Sequence, residues 1–424
     1  MDGDPQGEGL AGGLKRPEVG KVLLVSNGHG EDLSGARLAS ALAARGLLVE
    51  ALPLVGHGTA YRRAGIAVLG RTRQGSTGGM GYVSLAGRLT DLLEGQLFYV
   101  LARLGLLWRL RQRYRLVIGV GDVLAVLACW LSGRPGAVYL VAYSSYYEGR
   151  LRLPWPCGWL LRRPRIRAIW SRDPLTAADL SVQLGRPVQF LGNPFVDGLG
   201  RARQPAQPGG RGEGHGIQVL LLPGSRMPEA GRNLRLMLTM LAALPAELRA
   251  EAGIGWRAAL VEALGAPQLD KLDLPDGWQR EGSDRLRCGG LLLQLGWDRF
   301  GAWLSDADLV LAAAGTATEQ AVALALPVVQ IVGGGPQFTA RFAEAQRRLL
   351  GPAVGCAAGR PGSREQRAGS LALIQERLAE LTEPQRAGDL QQRLQSIARE
   401  RLGPTGASQR QAEAIMALLA QGNG

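Results

Sequence analysis

Cysteine and histidine are scarce in this chain of 424 residues, with four of the first and three of the second. Cys129, Cys157, Cys288 and Cys356 lie far apart and make no CxxC. That spacing argues against a disulfide framework and fits a reducing compartment. His29, His57 and His215 stand at no ligand spacing from a cysteine, so no metal is expected. There is no GxSxG elbow and no GxxxxGK[ST] loop, which removes the common serine hydrolases and P-loop enzymes. Charged residues make up only 20%, too few for a disordered chain, while 46% apolar residues suffice for real cores. Long apolar runs are also missing. The stretch 320–340 is uncharged and long enough to span a bilayer, but Pro327, Gly333, Gly334, Gly335 and Pro336 interrupt it. It reads as strand plus loop, and no transmembrane helix is expected. The first 20 residues lack an apolar signal region and read as a disordered tail.

Lysine is nearly absent, yet 49 Lys and Arg face 36 Asp and Glu, for a net charge of +13 and a pI near 10.3. Such an arginine-rich surface favours phosphates, nucleic acid or anionic lipid.

The length implies two domains. The chain is organised around Leu311–Val332, LAAAGTATEQAVALALPVVQIV. An apolar run, Ala307–Ala314, breaks at Gly315-Thr316-Ala317-Thr318, a helical stretch follows to Leu326, and Val328–Val332 is a second run. This is a βαβ unit of a parallel sheet. Gly315 permits close approach of a ligand, Thr316 and Thr318 offer hydroxyls, and the N–H groups of the helix start favour a phosphate. Glu319 and Gln320 could accept hydrogen bonds from a sugar. An ordinary βα turn with a threonine cap explains the same residues equally well.

A similar unit opens the chain. Lys21–Val25 is a strand, Ser26–Asp32 a glycine loop, Leu33–Ala44 a helix and Leu47–Leu54 the next strand. Strands are also expected at Leu116–Val120, Ala137–Ala142, Ala168–Trp170 and Val188–Leu191, with helices at Leu85–Trp108, Val123–Leu131 and Asp173–Leu180. The segment 201–216, rich in Gly, Pro and Arg, is a linker. Beyond it, Ile217–Leu222, Gly255–Leu260 and Leu291–Leu295 read as strands. Glu229–Leu244, Phe338–Leu350, Arg364–Thr382, Leu390–Arg401 and Ser408–Ala420 read as helices. The expected fold is α/β, with two Rossmann-like doubly wound domains, 21–200 and 217–402.

Four segments carry a family resemblance: SNGHGEDLSGA (Ser26–Ala36), FLGNPFVDGL (Phe190–Leu199), LLLPGSRMPE (Leu220–Glu229) and AAAGTATEQA (Ala312–Ala321). In this order they resemble the lipid-A-disaccharide synthase group of glycosyltransferases. The resemblance implies a GT-B fold, with two facing domains, a cleft between them, and a final helix (403–424) crossing back to the first. It implies inverting, metal-free and cofactor-free transfer from a UDP-sugar to a lipid-linked acceptor at the cytoplasmic membrane face. Carried onto this chain, Gly224, Ser225 and Arg226 hold the diphosphate. Gly315, Thr316 and Thr318 form the second phosphate contact, and Glu319 or Gln320 the ribose contact. Gln337, after the triple glycine, lies near the donor sugar. Asp122 is the implied base, with helix capping as its structural alternative, and His29 is a second candidate because its pKa suits neutral pH. Asp32 and Asn193 fall on the acceptor side. Glu31 and Asp32 are, on their residues alone, acids at a helix start. The acceptor-side motifs differ most from the family, so the acceptor itself is expected to differ. A UDP-GlcNAc 2-epimerase and a non-catalytic sugar-nucleotide or lipid-binding protein are the rival readings.

The segment Arg150–Arg172 puts seven arginines among Trp155, Trp159 and Trp170, with Leu160 and Leu161 between. With Leu85–Trp108 and the arginines at 109, 111, 113 and 115, it is expected to face an anionic membrane around the cleft mouth. No RNA-binding motif accompanies it, so no nucleic acid is expected.

Overall fold

The computed structural model describes residues 20–72, 96–200, 216–251, 253–333, 340–360 and 362–421, apart from the side chains of residues 29, 96, 97, 148, 340 and 341. The expected tail, the linker except Gly216, most of the loop before residue 96, and Gln337 lie outside them.

The first sheet contains β1 (Lys21–Ser26), β2 (Leu48–Pro53), β3 (Ala67–Val68), β4 (Leu116–Gly121), β5 (Gly136–Leu140) and β6 (Ile166–Ser171). Their order is β3-β2-β1-β4-β5-β6 and every pair is parallel. This is the doubly wound dinucleotide-fold order, in which the chain reverses direction next to β1. The strands are nearly unbroken apolar runs because helices cover both faces. Successive side chains of β1 alternate between two cores. Val22 and Leu24 join Leu38, Leu42 and Ile415, whereas Leu23 and Val25 join Val126, Leu160 and Leu180.

The second sheet has the order β14-β13-β12-β7-β8-β11-β10-β9. Its parallel part is β7 (Ile217–Leu222), β8 (Ile254–Leu260), β11 (Leu291–Trp297), β12 (Leu309–Ala312), β13 (Val328–Gln330) and β14 (Val354–Cys356). The antiparallel edge is β9 (Trp278–Arg280) and β10 (Arg285–Cys288). Strand β7 again splits its side chains, with Val219 and Leu221 in one core and Leu220 and Leu222 in the other.

Two of the connections between the domains involve the segment after β6. Asn193, fully buried, donates from its amide to the carbonyls of Arg172 and Leu402, both at 2.8 Å, and accepts from the Tyr139 hydroxyl. Asp197 accepts from the backbone N–H groups of Gly406, Ala407 and Ser408 at 2.6, 3.1 and 2.6 Å. It thereby anchors the start of the final helix, Ala407–Gln421. That helix lays Ala412, Ile415 and Leu419 on the first domain's core, and Arg45 pairs with Glu413 at 2.9 Å.

Several local expectations fail for physical reasons. Val188–Leu191 is not a strand; only Gln189 bridges to Trp170 at the sheet edge. The β9–β10 hairpin is built of short segments rich in Arg and Gln, and β14 is three residues long, so neither gives a clear apolar period. The first helix spans His29–Ala43, four residues earlier than expected, which places Glu31 and Asp32 in its first turn. Trp170, Leu160 and Leu161 are buried in the core rather than presented to a membrane.

Candidate active site between the two domains

The C-terminal ends of β1 and β4 face those of β7 and β12 across the domain boundary, where ligands bind in open α/β sheets. Four turns meet here. From the first domain come Asn27–Asp32 after β1 and Gly121-Asp122 after β4. From the second come Pro223–Arg226 after β7 and Gly315-Thr316 after β12.

The approach is close. A Cβ added at Gly30 would lie 2.9 Å from the Thr316 hydroxyl oxygen, so a side chain at 30 would press on the second domain's turn. Pro223–Arg226 is positioned from behind by Asn233 on the helix Glu229–Ala242. Its amide nitrogen donates to the Pro223 carbonyl at 2.9 Å, and a Cβ at Gly333 would collide with its amide oxygen. Gly224 has φ +105, which a side chain would strain, and the turn leaves Ser225 exposed and Arg226 half-buried. Burial lowers the pKa of Arg226, opposed by the charges of Glu31 and Glu229. The charge of Glu31 links Arg226 to the first domain electrostatically.

The helix after β12 is Thr316–Ala323, and Gly315 at its N-cap makes no side-chain cap bond. Thr318 and Glu319 donate their N–H groups to the Gly315 carbonyl at 3.0 and 3.2 Å. The N–H groups of Thr316 and Ala317 have no acceptor within the helix and remain for an anion. The Thr318 hydroxyl donates to the Ala314 carbonyl at 2.6 Å, and the Gln320 amide donates to Phe195 at 3.0 Å. Glu319 is buried and paired with Arg172 at 2.5 Å. The expected phosphate and ribose residues therefore separate. Gly315 and Thr316 face the cleft end of the turn, while the functional groups of Thr318, Glu319 and Gln320 are engaged within the protein.

On the first-domain side, Asp122 is buried and caps the helix Val123–Leu131, accepting the Leu124 N–H at 2.8 Å. The Tyr143 hydroxyl accepts the Val123 N–H at 3.0 Å, and Asn27 accepts from Asp122 N at 3.4 Å. Asp32 is buried one helical position from Glu31 and accepts from Ser26 at 2.6 Å, while Tyr61 donates to Ser26 at 3.0 Å. Burial pushes Asp32 up to about 7, with the Ser26 bond opposing and Glu31 adding to the shift. Asp32 is thus tied into a Ser26–Tyr61 cluster, and Asn193 is hydrogen-bonded at the domain joint. His29 begins the helix, but its side chain lies outside the described residues.

Two important residues were not singled out from sequence. On sequence Arg172 belongs to a basic surface run, yet it is buried between the domains. Glu31 was read as a helix-start acid, yet it sits half-buried at the centre of the cleft electrostatics. Burial raises its pKa, its own backbone N–H opposes this, Asp122 raises it further, and Arg172 and Arg226 pull it down. Nothing in the sequence distinguished it from Asp32 beside it. Among the described residues, no group of three His, Cys, Asp or Glu could hold a metal ion.

The aromatic surface lies elsewhere. Trp155 is 90% exposed, Trp159 46% and Trp108 60%. Trp159 stacks edge-on with Trp130, and Arg163, Arg165 and Arg111 lie over the Trp159, Trp130 and Trp108 rings. Val123–Leu131 starts at the cleft and runs back along the sheet, so Trp130 and its partners mark the end opposite the cleft.

No protein-family model matches the chain. The chain is 32% identical over 195 residues to the lipid-A-disaccharide synthase of Alkalilimnicola ehrlichii, covering 41% of this chain and 44% of the relative. The match thus spans less than half the length of that curated protein. Among solved structures, the calicheamicin glycosyltransferase superposes with TM-score 0.58 at 18% identity, covering 95% of this chain and 99% of its own. A putative UDP-N-acetylglucosamine 2-epimerase from Listeria monocytogenes gives 0.56 at 13%, covering 95% and 97%. The Neisseria meningitidis UDP-GlcNAc 2-epimerase bound to UDP-GlcNAc gives 0.54 at 14%, covering 94% and 100%. At these identities the likeness is one of fold: this chain has the GT-B architecture that glycosyltransferases and UDP-sugar epimerases share.

Proposed function

We propose that this protein transfers a sugar, of the N-acetylglucosamine type, from a UDP-sugar to a lipid-linked acceptor at the cytoplasmic membrane face, without a metal ion. The reading rests on one observation. Two anion-competent turns of the second domain, Pro223–Arg226 and Gly315-Thr316, face carboxyls of the first domain, Glu31 and Asp122, across one boundary. The departing diphosphate needs positive charge, which Arg226 and the Thr316 and Ala317 N–H groups supply. The acceptor hydroxyl needs a proton acceptor, which the carboxyl side supplies. The partial match to a lipid-A-disaccharide synthase supports a lipid acceptor, and the exposed Trp155, Trp159 and Trp108 with their arginines support contact with an anionic membrane.

The paired carboxyls favour one second reading, a UDP-GlcNAc 2-epimerase, because that chemistry uses two acids beside the donor sugar. Incubation with UDP-sugars, with and without a membrane lipid extract, separates the two. Transfer releases UDP only when lipid is present, whereas epimerisation proceeds without it.

A further inference from the structure

The base implied by the family resemblance, Asp122, is poorly placed for the task. Its carboxylate already serves the helix Val123–Leu131, accepting the Leu124 N–H at 2.8 Å, and it is almost wholly buried. A carboxylate that caps a helix has an oxygen committed to the backbone and a structural duty already. Glu31 also takes a helix-start N–H, its own, but it is less enclosed than Asp122. It is half-buried rather than sealed, and the protein makes room for it in two places. A Cβ at Gly28 would collide with its carboxyl, and a Cβ at Gly121 would lie 3.4 Å from its Cγ. Gly121 precedes Asp122, so the two carboxyls share one corner. Arg226 of the opposite domain, the proposed diphosphate ligand, acts on Glu31 from across the cleft.

Resting on the transferase reading above, we propose that Glu31, rather than Asp122 or His29, takes the proton from the acceptor hydroxyl. The acceptor O–H bond breaks and its proton passes to the Glu31 carboxylate. The freed oxygen bonds to C1 of the sugar as the C1–O bond to the diphosphate breaks. The bonding pair leaves on UDP, beside Arg226, and Glu31 later returns its proton to water. Asp122 is a positioning residue in this account, since its fixed negative charge raises the proton affinity of Glu31. Burial first, and then Asp122, raise the pKa of Glu31, which makes it a stronger proton acceptor than an ordinary glutamate. Its charged surroundings among the described side chains are Asp122, Asp32, Arg172 and Arg226, with the Tyr61 hydroxyl beside the same turn.

The test uses UDP-N-acetylglucosamine with a membrane lipid extract and compares wild type, Glu31→Gln, Glu31→Asp and Asp122→Asn. Glu31→Gln should lose at least ~100-fold in turnover with UDP affinity unchanged, and Glu31→Asp should recover part of it. Asp122→Asn should lose less and should move the acid limb of the pH profile to lower pH, because a negative neighbour has gone. The infrared signal of protonated carboxyls above the ordinary glutamate range should lose one component in Glu31→Gln, and the component that Asp32→Asn removes should remain. An active wild type with an equally active Glu31→Gln overturns the proposal and leaves the transferase reading standing. A wild type that consumes no UDP-sugar with lipid overturns that reading and this proposal with it.

Discussion

Replacing Glu319 by Gln removes one charge from a buried ion pair that bridges the two domains. Arg172 and Glu319 are 5% and 6% exposed, and their closest approach is 2.5 Å. The guanidinium also donates to the Val141 carbonyl at 2.9 Å and to the Tyr147 hydroxyl at 3.3 Å. Burial pulls the pKa of Arg172 down, but Glu319, Tyr147 and Tyr139 together outweigh it, so the group stays charged. Gln keeps the shape and an oxygen acceptor but not the charge. It leaves a buried cation with only neutral groups among its described hydrogen-bond acceptors, Val141, Tyr147 and the new amide, and breaking a buried pair in this way costs about 3–5 kcal/mol. Solvent screening offers no relief, because neither side chain is materially exposed. Urea unfolding of Glu319→Gln should therefore show a large loss of stability. Replacing both residues with Met should restore much of it, since an apolar pair of similar size removes the desolvation cost as well. A loss within about 0.5 kcal/mol of zero would refute the buried-pair account. Calorimetry with UDP on the same variant separates roles, since the ribose reading of Glu319 requires weaker UDP binding and the domain-joint reading does not.

Arg226→Ala should weaken UDP binding by about 1.5–3 kcal/mol, the range for hydrogen bonds to charged groups, and unchanged affinity in calorimetry would remove it from the site. Asp32 is held at about 7, against an ordinary 3.8, so its contribution to stability is complete below about pH 4 and is lost as pH rises through 7. The loss amounts to about 4 kcal/mol, and Asp32→Asn should abolish this slope in denaturant unfolding; parallel pH profiles would count against the buried Ser26–Asp32 arrangement. Trp155→Ala with Trp159→Ala should reduce flotation with anionic vesicles. Binding should weaken with salt, because each basic side chain near the surface adds about 1 kcal/mol; protein left at the bottom of the wild-type gradient would end the membrane proposal.

Much of the fold was legible because parallel strands are long apolar runs and their helices have clear stops. Ile217–Leu222 and Val123–Leu131 coincide with the observed elements, and the two glycine turns mark where β1 and β12 end. The elements β9, β10 and β14 were illegible because strands of three or four residues, polar-lined in β9 and β10, carry no period. In the site, Arg226 and the Gly315 turn were readable as types at strand ends. What could not be read is which side chains are already engaged. Thr318, Gln320 and Asn193 each satisfy a backbone group, and only tertiary geometry reveals it. Arg172 shows the same gap from the other direction, since a run of arginines gives no sign that one of them is buried. Trp170 lies in that same run and is buried by the strand β6 on which it stands.

The most direct measurement is UDP release from UDP-N-acetylglucosamine and related UDP-sugars by the purified protein, with and without a membrane lipid extract, with product identification. The account predicts UDP formed together with a glycosylated lipid, and neither without the extract. Conversion of UDP-N-acetylglucosamine to its 2-epimer without lipid, or no consumption of any UDP-sugar in either case, would contradict it.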